Sequence, residues 1–224
     1  MGQAALPLSS SKVMTRSNFH PSPERLLNYA LGELPAGPAL TLRSHIDGCT
    51  TCRAVVEARE EIEGRLMVES PGAALRPDAL AAVLGRIGEP TPASAGVGKD
   101  FEGIKLPSAV MGVSFARRRR LGPDFWVAHF ATPRPEGWLT YLLRAPAGSK
   151  FPNHGHVGAE FISLLDGAYS DTREHVAGDF VENGPGFEHV MEVTQAGPCL
   201  CLISTYGPIP WMPADVAIGK ILGV

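Results

Sequence analysis

No apolar run in the 224-residue chain approaches the roughly 20 residues needed to span a bilayer, so no segment reads as transmembrane. Residues 1–16 (MGQAALPLSSSKVMTR) also lack the apolar stretch of a secretory signal. The chain is therefore expected to stay in the cytoplasm. Those residues are expected to form a disordered tail, with Met14 as an alternative start. An excess of basic charge is missing too. Residues 17–90 carry seven Arg or Lys against ten Asp or Glu, and residues 91–224 carry eleven against thirteen. Neither half has the balance that phosphate contacts demand, which argues against direct nucleic-acid binding. The basic run Arg117 to Arg120 reads as a solvated loop or strand edge. Cysteine is scarce, four in all in two close pairs, Cys49 with Cys52 and Cys199 with Cys201, and in a cytoplasmic chain these are expected to be thiols.

The remaining composition, 44% hydrophobic and 19% charged, is that of a globular protein with enough length for two modest domains. Apolar residues recur at helical spacing in four stretches of the first half. The first runs from Pro23 to Leu34, with Ser22 as N-cap and Pro35 as the stop, and the second from Pro38 to Ile46, ending near Gly48. The third runs from Thr50 to Met67, with Val55, Val56, Ile62 and Leu66 on one stripe, and the fourth from Pro77 to Ile87. The stretch GEPTPASAGVGKD, Gly88 to Asp100, has almost nothing to bury and marks a flexible connection. Beyond it, short runs rich in β-branched and aromatic residues (Phe125 to Phe130, Trp138 to Leu143, Glu160 to Leu165, Cys199 to Thr205) alternate with Gly and Pro turns. That pattern predicts a sandwich or barrel. The expected organisation is a tail (1–16), a small all-α domain (17–90), a linker (91–104) and an all-β domain (105–224), a two-domain α + β protein.

Each half carries a constellation of metal-ligand residues. In the first, His45, Cys49 and Cys52 form H-x3-C-x2-C, and offsets of four and seven converge on one helix face. A helix ending at Gly48 would converge them too, with the cysteines opening the next helix, where the dipole favours thiolate. His20 is the other histidine of this half and completes a tetrahedral two-His, two-Cys set suited to zinc. The alternatives are that the two cysteines are buried small hydrophobes, or that they form a redox pair.

In the second half, Gly148 to Gly167 (GSKFPNHGHVGAEFISLLDG) places His154, His156 and Glu160 where a strand and its following turn bring them to one interior point. His189 follows downstream. Three His and one Glu suit zinc, iron, manganese, nickel or copper alike. Histidines satisfied by hydrogen bonds inside a metal-free barrel are the competing reading. Cys199 and Cys201 share one face of a strand, either as buried hydrophobes or as candidate redox-sensitive thiols; their offset disfavours a disulfide between them. His129 and His175 match no motif and are read as ordinary polar residues.

The stretch Gly148 to Gly167 resembles the first conserved motif of the cupin barrel, G-x5-H-x-H-x3-E-x6-G, at every position. The second cupin motif is matched at Gly178, Gly186 and His189 but departs at Gly184, where Pro is usual, and Val193, where Asn is usual. The acidic helical half, with His20 ahead of H-x3-C-x2-C, resembles the zinc-binding anti-sigma domain. The combination resembles the ChrR-type anti-sigma factors from His20 onward. That resemblance implies a double-stranded β-helix in the second half and a partner, a sigma factor of the extracytoplasmic-function group, clasped by the helices. It further implies a metal-bound cupin that senses an oxidative signal, singlet oxygen or organic peroxide, and relieves inhibition. The alternative is an iron-dependent cupin dioxygenase with the helical domain as accessory.

Overall fold

The computed structural model describes residues 18–87, 101, 104–116, 118–131, 137–210, 219, 220 and 223. The expected tail and the stretch Gly88 to Asp100 lie outside the described residues. Helix α1 (Pro23–Ala30) opens with the Ser22 hydroxyl accepting from the Arg25 amide at 3.4 Å, as the N-cap reading predicts. It stops short of the expected Leu34. Gly32 takes φ +70° and the Glu33 amide returns to the Asn28 carbonyl at 2.9 Å, so a left-handed glycine, not Pro35, ends the helix. Helices α2 (Ala36–Ile46), α3 (Thr50–Glu69) and α4 (Ala79–Arg86) fall within two residues of the expected bounds, and a short α5 (Ser108–Met111) follows.

Ten strands follow: β1 (Arg119–Gly122), β2 (Phe125–His129), β3 (Trp138–Ala145), β4 (Lys150–Gly155), β5 (Glu160–Asp166), β6 (Ala168–Ser170), β7 (Glu174–Val176), β8 (Phe180–Asn183), β9 (Glu188–Val193) and β10 (Cys199–Tyr206). They pair antiparallel in a six-stranded sheet, β1-β2-β3-β10-β5-β8, and a four-stranded sheet, β4-β9-β6-β7. The two sheets enclose an apolar core to which both contribute, including Tyr141, Ile162 and Ile203 from the first and Phe151, Tyr169 and Met191 from the second. Gly167 makes the tight turn between β5 and β6 at φ +76°, where a Cβ would meet the Pro198 carbonyl oxygen at 2.3 Å. Only glycine fits there.

Helices α1, α2 and α5, with the first turns of α3, lie on the outer face of the larger sheet. Alternation along β10 sends Cys199, Cys201 and Ile203 inward and Leu200 and Leu202 outward, where Leu40 of α2 and Val110 of α5 cover them. Further along, Phe161 and Phe180 of the sheet share a core with Leu26, Leu42, Ile46, Cys52 and Val56 of the helices. Within the expected linker, the described residue Phe101 is buried in the cluster over β10 and Ile104 packs against it. The two halves are therefore joined by a continuous apolar contact.

A buried hydroxyl chain marks the closest approach, with Thr41 Oγ1 at 2.8 Å from Ser204 Oγ and Ser204 Oγ at 2.8 Å from Thr140 Oγ1. Gly37, in the first turn of α2, sits so near that a Cβ would fall 2.0 Å from Thr140 Oγ1. Gly37→Ala is expected to push α2 off the sheet and cost about 1–3 kcal/mol, the usual range for overpacking a tight contact. Urea unfolding of the full chain checks it, and an unchanged midpoint would show that α2 does not press on β3.

Packing fails along the rest of α3. Val56 is buried, but Val55, Ile62 and Leu66, expected on the same stripe, are about half exposed, and Met67 and Val68 more so. Helix α4 buries no residue, and its apolar face of Leu80, Val83, Leu84 and Ile87 is open. An eight-residue helix is marginal on its own. These two apolar faces have no partner among the described residues.

Candidate metal centres

The helical cluster is built at one corner where three elements meet. His45 lies in the last turn of α2, Cys49 at the N-cap position of α3, Cys52 in its first turn, and His20 just before α1. The Cys49 amide closes on the His45 carbonyl at 2.9 Å, so the helix–helix corner itself sets the H-x3-C-x2-C spacing. His45 Nε2 lies 3.4 Å from Cys52 Sγ, and His20 Nδ1 lies 3.4 Å from both Cys49 Sγ and Cys52 Sγ. All four ligand atoms fall within 4.8 Å of one another. Burial pushes His45 down to about 4 despite its hydrogen bond to Gly178, and raises Cys52 to about 12. The imidazole is thus neutral near pH 7, while the thiol needs a cation to become thiolate.

The second cluster is held by strand register. His154 on β4 pairs with His189 on β9, and Glu160 opens β5 opposite Asn183 of β8. The Nε2 atoms of His154 and His156 lie 3.1 and 3.2 Å from His189 Nε2, and Glu160 Oε2 lies 3.4 Å from His156 Nε2 and 3.9 Å from His189 Nε2. All four side chains are buried. Burial lowers His154 and His156 to about 4, and burial raises Glu160 even though His189 and Asn183 oppose the rise. The departures of the second cupin motif at Gly184 and Val193 do not displace His189, which sits at the centre.

The donors test whether a cation fits. His154 Nδ1 donates to the Pro152 carbonyl at 2.8 Å and His189 Nδ1 to Asp171 Oδ2 at 3.3 Å. With both protons placed there, two Nε2 lone pairs face each other at 3.1 Å, a repulsive arrangement that a shared cation turns attractive. In the helical cluster His45 Nδ1 donates to the Gly178 carbonyl at 2.8 Å, which turns its Nε2 lone pair toward sulfur. Both clusters are compatible with metal binding, the first as a two-His, two-Cys set and the second as the triad of His154, His156 and His189, with Glu160 beside two of its members.

Three residues at this second site carry no motif. Asp171 accepts from His189 and from His175 Nε2 at 3.1 Å, and Asn183 Nδ2 donates to Glu160 Oε2 at 3.0 Å. Burial alone would raise the Asp171 carboxyl, but hydrogen bonds from His175, His189 and the Arg173 amide hold it well below the usual carboxylate range. His175, expected to be an ordinary polar residue, is instead buried between Asp171 and the rings of Tyr169 and Phe19. Its partners come from the opposite strand of a hairpin and from the start of the chain, so no local spacing reveals it. His129, by contrast, is only partly buried and packs on Tyr141.

Cys199 and Cys201 point into the barrel with their sulfurs 3.5 Å apart, both as free thiols beside a small apolar cavity lined also by Tyr169 and Met191. The contact with Cys199 and burial push the Cys201 thiol well up. In that state both behave as small hydrophobes.

Comparison with known proteins follows the same division. Residues 119–208 match the family model described as the ChrR cupin-like domain. The anti-sigma-E factor ChrR of Cereibacter sphaeroides is 30% identical over 201 residues, covering 85% of this chain and 90% of that protein. The chain belongs to the ChrR family of anti-sigma factors. The crystal structure of Rhodobacter sphaeroides SigE in complex with the anti-sigma ChrR is similar at a TM-score of 0.67 and 30% identity, covering 84% of this chain and 98% of that one. The likeness of that ChrR spans the helices and the barrel together, so the α + β architecture is the family's and not an accidental fusion. Membership in a family of anti-sigma factors sets aside the cupin dioxygenase alternative. No helix among the described residues is long and apolar enough to cross a membrane.

Proposed function

We propose that this chain sequesters a sigma factor of the extracytoplasmic-function group through α3 and α4, in the cytoplasm, and that its cupin site releases the partner on an oxidative signal. The observation that carries the reading is the open apolar faces of α3 and α4, in a chain whose α2 and α5 are already packed on the barrel. A ChrR relative has been crystallised with SigE, which supports the same partner class here. The charge of residues 17–90, seven basic against ten acidic, complements the basic surface a sigma factor needs for DNA.

Zinc is the ion that best suits His20, His45, Cys49 and Cys52, where it would hold the corner between α1, α2 and α3 rigid. His154, His156, Glu160 and His189 would hold zinc, iron, manganese, nickel or copper, and this deeper site is the responsive one. Imidazoles are electron-rich targets for singlet oxygen and thiolates for organic peroxide, and Cys199 and Cys201 stand ready as further oxidisable groups once they are exposed.

The test is transcription in vitro. One equivalent of the chain is expected to silence a promoter read by its sigma factor, and organic peroxide or singlet oxygen to restore the signal. His154→Ala is expected to remain silencing and to lose the restoration. Restoration that survives equally in His154→Ala would remove the cupin from the sensing role.

A further inference from the structure

The two metal-ligand clusters share one segment. Residues 171–180, leaving β6 and running through β7 into β8, touch a ligand of each. On the cupin side Asp171 Oδ2 accepts from His189 Nδ1 at 3.3 Å, while Asp171 Oδ1 accepts from His175 Nε2 at 3.1 Å. The His175 ring then packs on the Phe19 ring, centroids 4.7 Å apart. Phe19 is the residue before His20.

The backbone of Phe19 is also committed to the segment. Its amide donates to Asp179 Oδ1 at 3.2 Å, beside the Asn18 amide at 2.8 Å, and its carbonyl accepts from the Phe180 amide at 3.0 Å. The second oxygen of Asp179 accepts from the Val176 amide at 2.9 Å, which ties the same carboxylate to β7. Gly178 supplies the other arm, its carbonyl accepting from His45 Nδ1 at 2.8 Å. Two of the four helical ligands, His20 and His45, thus take their orientation from a cupin segment whose far end orients a cupin ligand.

We propose that residues 171–180, with Phe19, couple the two clusters, so that filling the cupin site tightens the hold of the helical site on its metal. The proposal rests on the reading of both clusters as metal sites. Its physical basis is that an outer hydrogen bond fixes which nitrogen a histidine offers and where it points. When His189 is drawn onto a cation, its Nδ1–H locks Asp171, and Asp171 locks the His175 ring against Phe19. When His189 is released, Asp171 is left with His175, the Arg173 amide and the Thr172 hydroxyl, and the segment holding Phe19, Asp179 and Gly178 loses an anchor. The helical ligands then lose the frame that preorganises them. Coupling of this kind is reciprocal, so a filled helical site must tighten the cupin site by the same factor.

Cobalt(II) separates the sites in the full chain, because a thiolate-to-cobalt charge-transfer band can arise only where cysteines are ligands. The rate at which a chelator bleaches that band reads the helical site alone. His154→Ala removes a cupin ligand on the side away from residues 171–180 and is expected to speed the bleaching about tenfold, within the usual range of intersite coupling. Phe19→Leu breaks the ring step, and in that background adding His154→Ala is expected to change the rate less than twofold, whatever Phe19→Leu does to the rate itself. Phe19→Tyr keeps the ring and should keep the tenfold response. His156→Ala, with circular dichroism to confirm retained helix, serves as a second way to empty the cupin site. Equal bleaching rates in the wild-type chain and both cupin variants would overturn the coupling alone. A wild-type chain with no charge-transfer band would overturn the helical metal site, and the coupling with it.

Discussion

Cys52→Ser is expected to remove one equivalent of metal from the chain and to weaken sigma-factor binding by at least about a hundredfold, or about 2.7 kcal/mol. Cys52 is buried at the centre of the helical core, between Leu26, Ile46 and Val56, and its sulfur lies 3.4 Å from both His45 Nε2 and His20 Nδ1. It is the one cysteine of the cluster within 3.4 Å of both histidines, and a structural zinc held there would contribute on the order of 10 kcal/mol to the fold it closes. Without it the corner between α2 and α3 keeps the packing of Ile46 against Val56, the Gly48 and Cys49 amides on the His45 carbonyl, and Arg53, which donates to the carbonyls of Ile46 and Asp47, but no bond between the two helices' side chains at the cluster. The direction of α3, and so the position of its open face, would no longer be fixed. Metal analysis with a binding titration checks both halves. A variant that loses the metal equivalent yet binds its sigma factor as before would show that the cluster plays no part in presenting the helices.

An effect of similar size is expected at the docking surface, for a different reason. Leu66 and Val83 are 52% and 61% exposed, so replacing either with Asp leaves the folded chain almost unchanged, within about 0.5 kcal/mol. In a complex, each would place a carboxylate where an apolar side chain is buried. Central apolar contacts of an interface are worth about 2 kcal/mol or more each, roughly thirtyfold in affinity, and a buried unpaired charge adds to that. The double variant Leu66→Asp with Val83→Asp is therefore expected to lose binding by about a thousandfold at unchanged thermal midpoint. Val190→Asp, at a similarly exposed valine on the barrel, is the control and should bind normally. Loss of affinity in the control, or its survival in the double variant, would move the partner surface away from α3 and α4.

Periodicity located the helices because their apolar faces are local patterns: α2 ends at Ile46 and α3 starts at Thr50 as expected, while the start of α2 and the end of α3 each lie two residues beyond the expected bounds. It failed at the end of α1, where the breaker is the backbone freedom of Gly32 and not the more conspicuous Pro35. It also gave Val55, Val56, Ile62 and Leu66 as one stripe without separating the buried Val56 from the rest, since sequence cannot tell an apolar face turned inward from one awaiting another chain. The β-alternation around Cys199 to Thr205 was legible and correctly placed both thiols on one side.

The ligand sets were legible because each group needs particular residue types at close spacing: the structure brings together all four helical residues and the cupin triad His154, His156 and His189, with Glu160 beside His156 and His189. What surrounds them was not. Asp171, His175 and Asn183 act through partners on other strands, and the docking of the helices depends on pairs such as His45 with Gly178, 133 residues apart. Contacts at that separation are set by the fold, and no local pattern in the sequence encodes them.

The central claim is that this chain holds a sigma factor through its helical face. The direct measurement is an equilibrium titration of the purified full chain, metal-loaded and reduced, with its extracytoplasmic-function sigma factor. A one-to-one complex with a dissociation constant in the nanomolar range, about 12 kcal/mol, is the predicted result. Absence of a complex at micromolar concentrations of both folded proteins would contradict the account.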